Sequence, residues 1–336
     1  MLGLLMLLSA PIVRSDAETA YAALESQFRI AQTGFLRESS DQAQPTFNWG
    51  LGVALSASNA LAVNNPKFIA KLKGDLAMVE KYWNQPGFDV QPGPPFPDDK
   101  YYDDNAWMVL ALVESFELLK DPALLERAQA ALDFCLSGHD QTLGGGVWWR
   151  QREHSSKNTC STAPTAAACL AIYAHAKEER YLAQATQLYE WTRQKLMDPK
   201  DHLMWDHITT DGTVERTKWS YNTALMIRTA RELARITKEP RYGTEQRQME
   251  RAAIKHWIKQ DGSIGDEMPF AHLLFENLKL TRVQQASAVR ALLRGRNGDW
   301  MFGKMWGEAP TSGPYRLLYQ ASAVRALAVY ERKRTQ

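Results

Sequence analysis

The chain repeats one helical scheme at nearly regular intervals. Four stretches share a charged or proline-containing turn, an apolar or aromatic residue and then a helix-period apolar stripe: "NNPKFIAKLKGDLAMVEKYW", "KDPALLERAQAALDFCL", "EERYLAQATQLYEWTRQKL" and "KEPRYGTEQRQMERAAIKHWI". Their anchor residues, Phe68, Leu124, Tyr181 and Tyr242, lie 56, 57 and 61 positions apart. A period of this size spans two helices with their connections, so the sequence predicts an array of helical hairpins.

Apolar spacing and helix start signals predict twelve helices, which make six pairs. The predicted ranges are 16–33, 48–63, 66–83, 103–119, 122–137, 161–176, 180–197, 220–236, 240–259, 267–278, 280–294 and 314–332. No strand-like alternation of useful length is found in the sequence. An all-α fold is therefore expected.

The connections between these helices alternate in length. The short ones are 64–65, 120–121, 177–179 and 237–239. The long ones, rich in Gly, Trp and Asp, are 84–102, 138–160, 198–219 and 295–313. In a closed ring of hairpins every second connection lies on the same rim, so the long loops are expected to share one face, which would carry function. The second helix of each pair is also the more apolar one, as an inner ring requires. An (α/α)6 barrel is the favoured architecture, with an open helical solenoid as the alternative.

Composition excludes one class of partner. The chain is 45% hydrophobic and 23% charged, and its formal net charge is only +2, from 40 basic and 38 acidic residues. No block of Lys and Arg is interleaved with aromatic residues, so nucleic acid is not an expected partner. Cys135, Cys160 and Cys169 are too few for a disulfide framework, and Cys169 is expected to be a small core residue. No ligand spacing indicates a metal site, no cofactor is expected, and a monomer is the expected state.

The beginning of the chain resembles an export signal. Residues 2–13 form an apolar run that is too short to span a bilayer but long enough for the core of a signal peptide. With Ser15-Asp16-Ala17 as the candidate cleavage site, residues 1–17 are a possible signal peptide and residues 18–336 a single barrel domain of a secreted or periplasmic protein. A plain N-terminal helix and a mis-chosen start codon are the alternatives.

The stretch "DDKYYDDNAWMVLALVESFELL" sets two pairs of aspartates directly before a predicted inner helix. Asp98 and Asp99 are expected to be solvated loop charges. Asp103 and Asp104 fall at the helix start, where a carboxylate is a favoured cap; this explains one of them but not both. Two carboxyls held close together are what a retaining glycosidase needs. Once the first is ionised, its charge raises the pKa of the second, which then stays protonated as the acid.

Aromatic residues are concentrated in the long loops. The set comprises Trp148, Trp149, Trp205, Trp219, Tyr221, Trp300 and Trp306. The apolar faces of sugar rings pack on such side chains, while their polar edges still reach water. "GGGVWW" adds backbone freedom beside two of the tryptophans. Together with the aspartate pair, these residues favour carbohydrate chemistry on the predicted rim.

Several segments, in order, resemble glycoside hydrolase family 76, the endo-α-1,6-mannanase family. "YYDDNAWMVLALVESFELL" is similar to the family's Tyr-Tyr-Asp-Asp-x-x-Trp motif. "GGGVWWRQREHSSKNT", "LMWDHITTDGTVERTKWSYNTALMI" and "RLLYQASAVRALA" resemble its later loops and closing helix. The likeness covers most of residues 45–330. It implies an (α/α)6 hydrolase that cleaves α-1,6-mannosidic linkages of a mannan-like polysaccharide or oligosaccharide with retention.

The resemblance also implies roles for individual residues. Asp103 would be the nucleophile and Asp104 the general acid/base. The residues nominated for substrate binding from the matching motifs are Asp206, Asn158, Tyr221, Asn222, Trp148 and Trp149. Asn48 and Trp49 are added because they open the first predicted inner helix. Two departures concern the sugar subsites. "MPFAHLLFENLKL" lacks the family's Lys-Gly pair, and His207 stands where the family commonly has Gly.

Three functions besides hydrolysis remain open at the level of sequence. A transglycosidase would use the same two aspartates with a sugar as acceptor. Some sugar epimerases and isomerases also use (α/α)6 barrels and move protons with histidines, for which the candidates are His139, His154, His202 and His207. A non-catalytic carbohydrate-binding protein would keep the aromatic residues without needing the aspartate pair, and helical repeats often serve only for binding.

Overall fold

The computed structural model describes residues 15–94, 99–310 and 312–335, and these form twelve α-helices. Their bounds are α1 Asp16–Phe28, α2 Asn48–Asn64, α3 Ile69–Val79, α4 Tyr102–Leu119, α5 Pro122–Ser137, α6 Thr159–Ala176, α7 Glu179–Leu196, α8 Ser220–Thr237, α9 Pro240–Trp257, α10 Met268–Asn277, α11 Arg282–Arg294 and α12 Leu317–Thr335. Each predicted helix is present, and most predicted ends lie within a few residues of the observed ones.

Six of the helices form a closed inner ring. Each of α2, α4, α6, α8 and α10 contacts the next in this order, α10 contacts α12, and α12 returns to α2. Around this ring, α3, α5, α7 and α9 pack against α2, α4, α6 and α8, and α1 packs against α12. The predicted (α/α)6 barrel is confirmed. The contact between α12 and α2 excludes the open solenoid.

Three of the four short connections share one turn conformation. Helices α4, α6 and α8 each end at a lysine in the left-handed region, with φ of 57° at Lys120, 58° at Lys177 and 62° at Lys238. This conformation ends a helix within one residue. After the first of these turns, the Asp121 side chain accepts from the backbone N–H of Ala123 and caps α5, which begins with proline. At each of these three turns the chain therefore reverses from an inner to an outer helix in two residues.

The two rings differ in side-chain composition. In α6 every residue from Thr159 to Leu170 is buried, and most of them are small. In the outer helix α9 only Tyr242, Met249, Glu250, Ala253 and Trp257 are buried. An inner helix is covered on all sides by its neighbours, whereas an outer helix buries a single stripe. The predicted difference in apolar content within each helical pair thus reflects where the two helices lie: the more apolar one is in the inner ring and its partner in the outer ring.

The long loops carry two small antiparallel sheets that the sequence analysis did not predict. In the first, β1 Trp83–Asn84 pairs with β2 Gly87–Phe88. In the second, β4 His207–Thr209 pairs with both β3 Ser156–Asn158 and β5 Val214–Glu215. Strands of two or three residues are too short to show alternation in a sequence. The second sheet fastens loop 138–160 to loop 198–219.

The predicted signal peptide falls largely outside the described residues, which begin at Ser15. The Ser15 hydroxyl accepts from the Glu18 N–H at 3.2 Å and caps α1. Export stays a prediction, and Asp98 also lies outside the described residues. In the described ranges, no helix combines the length and the apolar character that crossing a bilayer requires.

A buried ion cluster lies on the axis of the barrel. The Arg325 guanidinium of α12 donates to Glu114 Oε2 of α4 at 2.8 Å and to Glu276 Oε1 of α10 at 2.6 Å. It also donates to the backbone oxygen of Ser56 in α2 at 2.8 Å. Burial opposes the charge of Glu276, yet the arginine holds the pKa of this carboxyl at about 2. One side chain thus connects four of the six inner helices.

Replacing Arg325 by Met is expected to lower the free energy of unfolding by about 1–3 kcal/mol, because two partly buried carboxylates lose their charged hydrogen-bond partner. Arg334→Met is the matched control, since Arg334 lies exposed on the same helix; it is expected to change the stability by less than about 0.5 kcal/mol. Urea unfolding of both variants checks the prediction. Equal losses would contradict a special role of the buried cluster.

Candidate active site

A cavity of about 750 Å³ opens where the inner helices begin. Its volume is typical of small-molecule sites. The lining comes from α2, α4, α6, α8 and α10 and the loops before them: Phe47, Trp49, Val90, Tyr101, Asp103, Asp104, Trp107, Trp149, Arg150, Glu153, Ser155, Ser156, Asn158, Cys160, Asp206, His207, Thr209, Trp219, Tyr221 and Phe270. The N-termini of several helices converge here, and their dipoles favour negative charge at the cavity floor. Three of the four long loops, 84–102, 138–160 and 198–219, therefore meet at this site, as predicted, whereas no described residue of the 295–313 loop lines it.

The two adjacent aspartates occupy the first turn of α4 and face this cavity. One carboxylate oxygen of Asp103 accepts from the indole Nε1 of Trp149 at 3.1 Å. The other accepts from the backbone N–H of Asp104 at 3.0 Å. The neighbouring backbone is fixed as well, because the Tyr102 N–H donates to the Trp149 carbonyl at 3.0 Å. Loop 138–160 thus holds Asp103 in place through both backbone and side chain.

These contacts make the two carboxyls chemically unequal. Burial raises the pKa of Asp103 to about 6, while the hydrogen bonds from the Asp104 N–H and from Trp149 oppose the rise. Burial also raises the pKa of Asp104, well above its usual range, and the negative charges of Asp103 and Glu38 raise it further. Near neutral pH, Asp103 is therefore the ionised member and Asp104 the protonated one.

Polar side chains on the short sheet face the aspartate pair. Asn158 ends β3 and is paired with His207 of β4, so the two lie side by side. The Asn158 side-chain oxygen accepts from the Ser156 hydroxyl at 2.7 Å. Asp206 precedes β4, and its carboxylate lies 3.0 Å from His207 Nδ1. Of the residues nominated for substrate binding, Asn158 and Asp206 thus line the cavity.

Aromatic rings form another part of the lining. Phe270 stacks on Tyr221 with ring centroids 4.5 Å apart and on Trp49 at 5.9 Å. Trp219 lies 5.2 Å from Phe270, and Trp107 lies 6.4 Å from Tyr221. Trp49 and Trp107 also border the space around the axial ion cluster, so they separate it from the cavity. The nominated residues Trp49, Trp149 and Tyr221 all line the cavity.

Other predicted aromatic residues lie elsewhere. Trp148 is buried, with His154 stacked on its ring at 4.7 Å and the Lys157 ammonium 4.6 Å from its ring centroid. Its indole N–H donates to Asp140 at 2.8 Å. With its ring covered in this way it cannot serve as a sugar platform, so the substrate-binding role predicted for Trp148 does not fit its position. It braces loop 138–160 instead.

Trp205, Trp300 and Trp306 do not line the cavity either. Arg216 lies over the ring of Trp205 and Arg296 over that of Trp300. Trp306 is buried and donates to the Ala288 carbonyl at 2.9 Å. Of the six loop tryptophans in the predicted aromatic rim, Trp149 and Trp219 reach the cavity.

Asn48 and Asn222 are also nominated substrate ligands that do not line the cavity. Both are buried in the first turns of α2 and α8. Within the described part of the chain, the side-chain amide of neither residue has a hydrogen-bond partner. A buried amide without a partner is unusual in proteins. Their positions place them beside the site rather than on its surface.

Several residues that line the cavity were not nominated from the sequence, among them Trp107, Phe270 and Cys160. Trp107 stands in the same motif as the aspartates, and Phe270 lies in the segment that departs from the family. Cys160 follows the sheet residue Asn158 by two positions. Burial raises the pKa of its thiol well above the usual range, so the thiol stays neutral. In the sequence, what could have pointed to these residues was their closeness to the nominated motifs.

Comparison with known proteins identifies the family. The model of glycosyl hydrolase family 76 matches residues 80–331, well over half of the chain. The chain belongs to this family. The resemblance described from the sequence is thereby confirmed.

Solved structures of the family share the whole fold. The chain is similar to a family 76 α-mannanase from Bacteroides thetaiotaomicron, with 25% identity, a TM-score of 0.88 and 96% of each chain covered. It is also similar to an inactive α-1,6-mannanase variant from a Salegentibacter species in complex with α-1,6-mannotriose. That match has 20% identity and a TM-score of 0.81, and it covers 94% of this chain and 98% of the other. In that variant two consecutive aspartates are replaced by asparagine.

A more distant relative is the meiotically up-regulated gene 191 protein of Schizosaccharomyces pombe. It is 24% identical over 193 residues, which cover 52% of this chain and 43% of that protein. The chain thus matches less than half the length of this curated relative.

Replacing Asp103 by Asn is expected to stabilise the protein at neutral pH. A carboxyl whose pKa is raised by folding costs stability as the pH rises from about 4 through the folded-state pKa of about 6. Asp103→Asn removes this cost, so a gain of about 1–3 kcal/mol is expected at pH 7.5, shrinking toward zero near pH 4. Thermal unfolding at both pH values checks this. Asp121→Asn, at a cap on the opposite rim, is the control, and an equal gain there would contradict the explanation.

Proposed function

We propose that the protein hydrolyses α-1,6-mannosidic linkages in a mannan-type polysaccharide with retention of configuration. The observation that carries the proposal is the unequal pair of neighbouring carboxyls, Asp103 and Asp104, in a cavity lined by aromatic rings. Retaining glycosidases need one ionised and one protonated carboxyl beside the scissile bond. Membership of family 76 supports the same chemistry.

In the first step the Asp103 carboxylate attacks the anomeric carbon of the sugar, and the bond to the leaving oxygen breaks. Asp104 gives its proton to that oxygen, so the leaving sugar departs as a neutral alcohol. The indole of Trp149 holds Asp103 in position for the attack. A glycosyl ester on Asp103 results, and Asp104 is now ionised.

In the second step Asp104 takes a proton from a water molecule, whose oxygen attacks the anomeric carbon. The ester bond to Asp103 breaks, and both carboxyls return to their starting states. Two displacements at one carbon restore the original configuration. Asp206 and Asn158, on the sheet opposite the pair, are proposed to bind sugar hydroxyls, and Tyr221 and Trp149 to pack against sugar rings.

The choice of mannan rests on relatives. Solved members of the family with the same fold include an α-mannanase and an α-1,6-mannanase bound to α-1,6-mannotriose. Transglycosylation differs only in the second step, where a sugar hydroxyl replaces water. The products formed in the presence of an acceptor sugar therefore distinguish the two reactions.

Epimerase chemistry and simple carbohydrate binding fit the cavity less well. Of the four loop histidines, His207 reaches the cavity lining, whereas His154 stacks on Trp148. An epimerase that moves protons with histidines would have His207 as its histidine in the cavity, and the two carboxyls of Asp103 and Asp104 would have no role. A purely binding protein would likewise have no use for two adjacent, half-buried carboxyls that destabilise each other.

Loss of either carboxyl is expected to abolish hydrolysis. Asp103→Asn and Asp104→Asn are each predicted to lower kcat/KM on α-1,6-mannan by at least about 10³-fold, since each removes one half of the acid and nucleophile pair. Asp121→Asn is expected to keep wild-type activity. Reducing-sugar release measures the rate, and proton NMR of the first product gives its configuration. An inverted product would contradict the two-step mechanism.

The pH profile tests the division of roles. Because the nucleophile must be ionised, activity is expected to fall as the pH drops below about 6, the pKa of Asp103. Trp149→Phe removes a donor that favours the charged carboxylate, so the acid limb is expected to move upward by about 1 pH unit. Trp300→Phe, on the same rim but outside the cavity lining, is the control. An unmoved acid limb in Trp149→Phe would contradict the assigned role of Asp103.

A further inference from the structure

His207 brings an imidazole to the cavity lining, and the two-carboxyl mechanism gives it no role. It begins β4, in which His207 and Thr209 line the cavity while Ile208 between them is buried. Successive side chains of a strand point to opposite faces, so the strand directs the His207 side chain toward the cavity. The family commonly has Gly at this position, and the shared motif therefore does not explain the ring.

The backbone around this side chain is held on both sides. The Asp206 N–H donates to the Glu215 carbonyl at 3.1 Å, and the Asp206 carbonyl accepts from the Thr159 N–H at 2.8 Å. His207 itself is paired with Asn158 of β3 and with Glu215 of β5. The imidazole therefore extends from a fixed point of the cavity wall.

One contact sets the orientation of the ring. His207 Nδ1 lies 3.0 Å from Asp206 Oδ2. The carboxylate of Glu215 does not compete, because it accepts from both the backbone N–H and the hydroxyl of Thr217. An ionised carboxylate can only accept a hydrogen bond. In the neutral imidazole the hydrogen therefore lies on Nδ1 and the lone pair on Nε2.

The outer atoms of this pair are open. Among the described residues, His207 Nε2 has no hydrogen-bond partner, and it is not one of the buried polar atoms that lack a partner. The same is true of Asp206 Oδ1. The two side chains are 26% and 21% exposed. Neighbouring residues thus present two accessible hydrogen-bond acceptors at the cavity wall.

Stability does not account for this arrangement. A partly exposed pair contributes little to the folded state, and backbone hydrogen bonds already fix the strand on both sides. What the contact with Asp206 determines is that the outer position of the ring carries an acceptor rather than a donor. Each hydroxyl group of a sugar has a hydrogen to donate to such an acceptor.

We propose that His207 is a substrate-binding residue, whose ring Asp206 orients so that Nε2 accepts a hydrogen bond from a hydroxyl group of the bound sugar. The inference rests on the proposed function and extends its binding site. Asp206 Oδ1 takes a second hydroxyl group beside the first. These hydrogen bonds form with the substrate and the transition state alike, so their loss raises KM and leaves kcat nearly unchanged.

Two substitutions distinguish the two nitrogens of the ring. His207→Asn keeps an amide N–H near the position of Nδ1, which can donate to Asp206, but it has no acceptor at the position of Nε2. His207→Gln places its amide near the position of Nε2 and loses the bond to Asp206. His207→Asn is expected to raise KM for α-1,6-mannan by about tenfold, and His207→Gln by less than about threefold. His256→Asn, on the exposed face of α9, is the control and is expected to keep the wild-type KM.

The opposite order of the two variants would overturn the inference, because it would mean that the ring only holds Asp206. Equal KM values for His207→Asn and His207→Gln, or a lower kcat with an unchanged KM, would overturn it as well. Melting temperatures confirm that the variants are folded. If the wild type releases no sugar from mannan, the proposed function is contradicted and the inference falls with it.

NMR of the imidazole nitrogens provides a second test, which needs neither turnover nor a change at His207. The inactive Asp103→Asn protein is labelled with ¹⁵N-histidine and measured at about pH 7.5. The His207 signals, assigned through backbone correlations, are expected to show the hydrogen on Nδ1. On addition of α-1,6-mannotriose, the Nε2 signal is expected to shift to lower frequency, as in a nitrogen that accepts a hydrogen bond. Mannotriose binding without this shift would overturn the inference and leave the proposed hydrolysis intact.

Discussion

A single buried guanidinium connects most of the inner ring. Arg325 reaches from α12 to a carboxylate on α4, a carboxylate on α10 and a backbone oxygen on α2. Such a cluster adds little stability compared with a well-packed apolar core, but its members must all be present, because a buried charge without a partner is costly. Its geometry therefore favours the closed arrangement, in which α12 lies between α2 and α10. Every feature of the site depends on that closure.

Closure brings the beginnings of the inner helices together on one rim. On the other rim the chain reverses through tight turns at Lys120, Lys177 and Lys238. On the functional rim the loops are long and their backbones cross-link one another, as in the sheet that joins 156–158 to 207–209. There Asp103 receives two donors, while Asp104 is buried beside its charge. The difference in protonation between Asp103 and Asp104 thus arises from the way the loops converge on them.

Much of this arrangement could be predicted from the sequence. Helices, their pairing and the (α/α)6 barrel follow from apolar periodicity and alternating loop length, which are local signals. The place of Asp103 and Asp104 at a helix start on the long-loop rim follows from the same reasoning. Motifs shared with the family then placed Asn158, Asp206 and Tyr221 near them.

Side-chain direction within the loops could not be predicted. Trp148 and Trp149 are adjacent, yet one braces its loop and the other contacts Asp103, because neighbouring side chains in an extended segment point to opposite sides. The contact of Phe270 with Trp49 joins helices that are distant in sequence and not adjacent in the ring. Asn48 was nominated because it opens the first inner helix and Asn222 because it matches a family motif, but burial beside the cavity depends on packing that only the three-dimensional structure shows.

The most direct test of the two-carboxyl mechanism is to trap its intermediate. The Asp104→Asn variant is treated with α-1,6-mannobiosyl fluoride, whose leaving group needs no proton, so the first step proceeds while the second lacks its base. Mass spectrometry of the intact protein and of its peptides then locates any adduct. One mannobiosyl unit on the peptide that contains Asp103, absent when Asp103 is also replaced by Asn, is the predicted result. An adduct on another residue, or turnover without any adduct on Asp103, would contradict the assignment of Asp103 as the nucleophile.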